Sequence, residues 1–351
     1  MKKICSENAI GQVLCHDMTA ILEDGFKGVR FKRGHLITEE DLPVLRSMGK
    51  DHIFVWEPEL DEVHEDDCAI AFSKALLGKH MLAGSPSEGK ISLKTNTMGV
   101  LTINLQALKE INSIQDWTLA SVQNYQPLLE GMVFAGFRII PLVTRQKNLD
   151  KAVAAAKNAA DSGFPVFRIH PMRHLKVGLV ITGNEIFYKR IPDAFEFILR
   201  RKLSRYPADL ASVIFCPDDE AAILDALSAL QKQCCQLILM TGGMSVDPDD
   251  VTPQAIRQSG AKILMQGVPM QPGNMLTLAE LDELTILGVP GASMHVPRTS
   301  LDVFLPRLFA GLPFNKVEIA RLGAGGLAVP GIPLPWPTLP LDEEELSGFV
   351  K

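Results

Sequence analysis

The chain has 351 residues, 46% apolar and 22% charged, with a net charge of -6. That is more than one ordinary domain holds, in a balance typical of soluble globular protein. An isoelectric point near 5.8 excludes a general nucleic-acid binder, and no apolar run is long enough to span a membrane. The six cysteines show no metal-type or redox-motif spacing, so free thiols in a reducing cytoplasm are expected. Lys2-Lys3 is followed by no apolar stretch of the signal-peptide kind.

Residues 1–65 read as a small α+β unit. Gly11–Leu14 and Ile53–Trp56 have strand patterns, and 38–49 reads as a helix capped by Thr38, with Gly49 behind it. Residues 66–147 read as a β-rich unit. A helix over 67–77 leads into strand candidates at 91–94, 100–103, 118–122 and 137–143, punctuated by glycines. Residues 148–174 form a linking helix and strand, with the alanine-rich 149–162 closed by Gly163. His170 and His174 stand four apart, but Pro171 lies between them, so they read as an incidental pair rather than metal ligands.

From 175 to 312 the pattern is regular. Strands over 177–181, 211–216, 237–240, 262–265, 275–278 and 285–289 alternate with helices over 193–205, 220–233, 253–259 and 300–310. The alternation predicts an α/β domain with a mostly parallel sheet covered on both faces. Residues 313–351 read as a Gly/Pro-rich arm, extended or partly disordered.

The loops after these strands carry the chemistry. In open α/β sheets ligands sit beyond the carboxyl ends of the strands. The first tip is Thr182-Gly183-Asn184-Glu185, the second Pro217-Asp218-Asp219, and the third Thr241-Gly242-Gly243-Met244-Ser245, followed by Asp247, Asp249 and Asp250. Gly242 and Gly243 let backbone amides approach an anion closely, and the nearby carboxylates suit Mg2+ bridging a phosphate. Thr252-Pro253 reads as an N-cap followed by proline at the first helical position. Gln271-Pro272-Gly273-Asn274 and Val289-Pro290-Gly291-Ala292 add two further loops, rigid at proline.

On these strings, residues 176 to about 312 closely resemble the molybdopterin-binding domain of molybdenum-cofactor biosynthesis proteins. The resemblance implies a three-layer α/β/α domain, usually in a homo-oligomer, and a pterin phosphate as ligand. It puts Gly242, Gly243 and Ser245 at the phosphate, with Thr182, Gly183, Glu185, Thr241, Pro272, Gly273, Pro290 and Gly291 completing the binding set. Asp218 and Asp250 fall at the family's functional acidic positions, where they would hold Mg2+; Asp219 and Asp249 would substitute for them or cap helices.

Members of the family adenylylate molybdopterin with ATP or insert molybdate into it. This chain departs from their pattern at Gln271 and Asn274, where a Lys-Pro-Gly-Lys-Pro string is usual, and at Gly291-Ala292-Ser293, where Gly-Asn-Pro is common. Lost lysines remove point charges that would hold phosphate or molybdate. Two functions follow: a Mg2+-dependent adenylyltransferase or molybdotransferase, and a non-catalytic carrier or sensor of the cofactor. Hydrolysis of another nucleotide or pterin is a third, resting on fold alone. The N-terminal half resembles the extra domains of molybdotransferases only at Glu23-Asp24-Gly25-Phe26.

Overall fold

The computed structural model describes residues 1–21, 27–55, 61–244, 251–332 and 334–340. Glu23–Phe26, Trp56, Ser245, Asp247, Asp249, Asp250 and the acidic end of the arm lie outside the described residues. The chain divides into two units, the first made of Met1–Asn96, Ile103–Val122 and Glu130–Ile169. The second is Thr97–Thr102, Gln123–Leu129 and His170–Lys351.

The first unit is built of short antiparallel pieces. Lys2–Cys5 pairs with His52–Val55, and Met18–Ile21 with Lys27–Phe31. A four-stranded antiparallel sheet runs in the order Met81–Ala83, Ile91–Thr95, Val133–Ile139, Trp117–Ser121. Phe72, Trp117 and Phe137 pack ring to ring in its core, with centroids 4.7–5.3 Å apart.

Two local expectations differ from the structure here, and one helix was not expected. Gly11–Leu14 forms no strand; Val13 and Leu14 make single bridges to Leu36 and Val55. The first helix starts at Asp41 rather than Thr38, because the Asp41 carboxylate accepts from the Thr38 amide at 2.8 Å and its hydroxyl at 2.9 Å. Those bonds fold residues 38–41 into a turn ahead of the helix. A helix over Leu105–Asn112, capped by the Asn104 side chain on the Ala107 amide, had no counterpart in the sequence reading.

In the second unit we number the elements β1 Leu175–Thr182, α1 Asn184–Phe187, α2 Phe195–Leu203, β2 Ala208–Cys216, α3 Glu220–Lys232 and β3 Leu237–Thr241. These continue as α4 Thr252–Gln258, β4 Lys262–Gln266, β5 Thr277–Leu281, β6 Leu284–Gly288, α5 Ser300–Phe309 and α6 Lys316–Arg321. One six-stranded sheet runs β2-β1-β3-β6-β5-β4. β2, β1, β3 and β6 are parallel, and β5 alone runs against its neighbours.

All five residues of the central strand β3 are buried, as a parallel strand covered on both faces must be. Its side chains alternate between two cores. Leu237 and Leu239 join Leu199 of α2 and Phe304 of α5 on one face. Ile238 and Met240 join Leu227 of α3 and Ile256 of α4 on the other. The domain is therefore the three-layer α/β/α sandwich with a mostly parallel sheet that the alternating pattern predicts.

The arm is more tightly held than its composition implies. Trp336 and Leu339 are 7% and 4% exposed, and the Trp336 indole donates to the Gly325 carbonyl at 2.8 Å. Trp336 joins the core that also holds Leu237, Leu239 and Phe304, Leu339 is buried as well, and Lys316–Arg321 of the same arm is helical rather than extended.

Candidate functional site

Register brings the strand tips into line. Thr182 sits opposite Cys216, Ile181 opposite Thr241, Met240 opposite Gly288, Gly288 opposite Thr277, and Thr277 opposite Gln266. The five predicted loops therefore leave one edge of one sheet.

The first two tips are tied by the side chains at their ends. The Asn184 amide donates to Asp218 Oδ2 at 2.9 Å, and the Asp218 amide donates to Asn184 Oδ1 at 3.3 Å. Asp218 is half-buried, and among the described residues its second oxygen has no partner. Asp219 is committed elsewhere: it caps α3 by accepting from the Ala222 amide at 2.9 Å. Glu185 is exposed, with its carboxylate folded back over Gly183.

The third tip crosses the first at close range. Thr182, 2% exposed, donates its hydroxyl to the Thr241 carbonyl at 3.0 Å. Gly242 follows at φ +84°, where a Cβ would stand 2.3 Å from the Thr182 carbonyl oxygen. Gly243, at φ +55°, would put a Cβ 2.7 Å from the Thr252 hydroxyl. Neither position admits a side chain, so bare backbone is presented where α4 begins. Ser245 and Asp250 lie outside the described residues, so the acidic pair Asp218 and Asp250 is described on one side alone.

Thr252 is not the cap of α4 that the sequence suggests. Val251 holds that position, and Thr252 is fully buried inside the helix start. Among the described residues its hydroxyl has no hydrogen-bond partner, nor do the buried hydroxyls of Thr241 and Thr277. Buried polar groups are nearly always paired, so orphans at two strand ends and at the start of α4 are unusual.

The remaining loops are firmly held. Gly273 accepts from the Ser300 hydroxyl at 2.5 Å, next to Pro272 in a cis bond to Gln271. Gln271 is paired on both sides by the arm, its amide to the Gly326 carbonyl and its carbonyl to the Ala328 amide, each at 2.7 Å. Pro290 is buried and Gly291 exposed at the start of a short 3-10 turn over Gly291–Met294.

The charges near this edge are sparse. Burial, with Asp218 and Asp219 adding, pushes the Cys216 thiol up to about 11, so it stays protonated and is no nucleophile at neutral pH. Among the described residues no group of three His, Cys, Asp or Glu side chains is arranged to hold a metal. Three cations near these loops stand outside the predicted set: Lys189 and Arg190 after α1, and Arg298 ahead of α5, whose buried Nε has no partner among the described residues. Their signal was a cationic residue within a few positions of a strand-tip loop.

Binding is the chemistry this arrangement offers. Backbone without Cβ atoms at Gly242 and Gly243 can approach an anion closely, and the half-buried Asp218 carboxylate can take a cation or a donor beside it; no activated nucleophile or paired general base is built among the described residues.

Comparison with known proteins bears on the same domain. Residues 178–310 match a family described as "Probable molybdopterin binding domain", and residues 3–57 match a domain of unknown function. A molybdopterin molybdenumtransferase of Synechococcus elongatus is 25% identical over 146 residues, 39% of this chain and 36% of that protein. CinA-like proteins are similar too: that of Amoebophilus asiaticus is 28% identical over 82 residues (23% of this chain, 20% of that one), and that of Mycolicibacterium gilvum 24% over 159 (45% and 36%). The chain thus spans little more than a third, or less, of these relatives. The crystal structure of MoaB from Thermus thermophilus covers 40% of this chain and 99% of its own, with 21% identity and a TM-score of 0.31. Among the described residues no helix is long and apolar enough to cross a membrane.

Proposed function

Since residues 178–310 are a member of the molybdopterin-binding domain family, we propose that the chain binds molybdopterin or its nucleotide form at the tips of β1, β2 and β3, as part of molybdenum-cofactor biosynthesis. The observation that carries this is the crossing of Gly242 over Thr182, where the space a Cβ would need is filled by backbone. Backbone amides without a neighbouring Cβ at such a crossing can approach a phosphate.

Asp218 and Asp250 would hold Mg2+, which would offset phosphate charge there. Asp218 fits this in part, since one oxygen is held by Asn184 and the other is open. ATP or molybdate would be the co-reactant of the finer step, adenylyl transfer or molybdate insertion, in a homo-oligomeric cytoplasmic protein.

A second reading, a non-catalytic carrier or sensor, is supported by Gln271 and Asn274, which leave the Pro272-Gly273 loop without a cation. Calorimetric titration with molybdopterin, then with ATP or molybdate and Mg2+, separates the two. Binding with turnover that Asp218→Asn abolishes supports the enzyme. Binding without turnover supports the carrier, and absence of binding rejects both.

A further inference from the structure

The segment that follows the first strand tip has no task in the site described above. Beyond α1, Lys189 takes a left-handed conformation, φ +56°. The Glu185 carbonyl accepts the Arg190 and Ile191 amides at 2.8 and 3.3 Å, and the Ile186 carbonyl accepts that of Lys189 at 2.9 Å. Bonds of this kind close a helical turn, so the side chains of 186–191 project from a fixed backbone. Asp193 anchors the other end, its carboxylate accepting from the Phe195 and Glu196 amides at 3.0 and 2.8 Å.

Between this segment and Phe215 near the end of β2 lies a cleft of about 640 Å³. Small-molecule sites occupy roughly 300–1,000 Å³. Its walls include Phe187, Ile191, Pro192 and Phe215. The two phenylalanines are 41% and 37% exposed, leaving ring faces open to solvent where burial would be favourable.

Lys189 and Arg190 belong to the same lining. Among the described residues neither is in an ion pair, and the Arg190 guanidinium stands 5.6 Å from the Tyr188 ring centre. The one acid of the lining, Asp193, is already committed to the start of α2. In a chain of net charge -6, two adjacent cations without an ion pair among the described residues, beside partly exposed aromatic rings, make a local field that favours an anion carrying a flat ring. Both walls continue the segments that hold Asn184 and Asp218.

We propose that this cleft seats the planar heteroaromatic ring of the anionic ligand whose phosphate lies at the strand tips. Phe187 and Phe215 contact the ring, and Lys189 with Arg190 offsets the charge. The inference rests on the phosphopterin reading above and adds a ring subsite to it. A pterin and a purine share the required chemistry.

Calorimetry on the full chain tests it with three probes: molybdopterin, unphosphorylated pterin and adenosine. One ring-only probe binds saturably, and its identity tells pterin from purine. Phe187→Ala weakens that probe and molybdopterin by about tenfold. Replacing Lys189 and Arg190 together by serine weakens molybdopterin by about tenfold but the neutral probe by less than about threefold. Gly242→Ala does the same from the other side, weakening molybdopterin and sparing the ring probe. These residues other than Gly242 are exposed, so their variants melt with the parent. If neither ring probe saturates, or if both cleft variants bind molybdopterin like the parent while Gly242→Ala does not, the ring subsite is overturned and the strand-tip reading stands. If the parent ignores molybdopterin, both fall.

Discussion

Asp218 and Asn184 hold each other across two strand tips: each backbone amide donates to the other's side chain, at 2.9 Å toward Asp218 and 3.3 Å toward Asn184. The charged acceptor makes the first the stronger of the two. The carboxylate is thereby aimed rather than free to turn. Asp218→Asn keeps the shape but removes the charge, so ligand binding or Mg2+ dependence falls by about tenfold or more, while stability falls by about 1 kcal/mol. Titration of the variant, with its melting curve beside it, checks both numbers.

Gly242→Ala is the severe substitution. It puts a side chain at φ +84° and a Cβ 2.3 Å from the Thr182 carbonyl oxygen. A left-handed non-glycine residue costs about 1–2 kcal/mol before any clash. The expected loss is therefore above about 2 kcal/mol, with ligand affinity lost as the loop is pushed aside. A urea-denaturation midpoint equal to the parent's would count against the close crossing.

The buried threonines give a prediction of opposite sign. Thr252→Val exchanges an unpaired hydroxyl for a methyl group of the same shape at a fully buried position. Stability is unchanged or rises by about 1 kcal/mol, because nothing is left unsatisfied. If the hydroxyl faces bound ligand, affinity drops at the same time. A loss of stability would mean that the hydroxyl is paired in the free protein.

The sandwich was legible because its strands are short apolar runs separated by amphipathic helices, a period that little else produces. The tips were legible as strand ends because a glycine pair follows an apolar strand there, and Gly242 and Gly243 both take positive φ. The misses have local causes. The Leu105–Asn112 helix is held by side chains of asparagine at both ends: Asn104 caps it, and Asn112 exchanges hydrogen bonds with the Leu119 backbone at 2.7 and 2.9 Å. The helix's own apolar period, Ala107, Leu108 and Ile111, is only eight residues long and does not stand out beside the strand-like alternation just before it. Thr252 looked like a cap by type and position, yet tertiary burial overrode its local preference. Trp336 lay in a proline-rich stretch whose composition hid one deeply buried ring.

In the first unit, Glu65 is 3% exposed, and burial, with Asp66 adding, raises its carboxyl to about 7 against the partial offset of Arg138. Its folded value lies above the usual 4.5, so the folded state binds the proton more tightly than the unfolded chain does. The stabilisation is full below about 4.5 and is lost as pH rises through about 7. Glu65→Gln removes this slope, so the variant gains on the parent between pH 5 and pH 8 in paired denaturation curves. Parallel curves across that range would mean that Glu65 is not buried in this way.

The central claim is that the edge formed by the ends of β1, β2 and β3 holds a phosphorylated pterin. A crystal of the full chain soaked with molybdopterin tests it most directly. The account predicts ligand density with its phosphate within hydrogen-bond reach of the Gly242 and Gly243 amides, beside Asp218. Density seated elsewhere on the molecule, with those amides untouched, would contradict it.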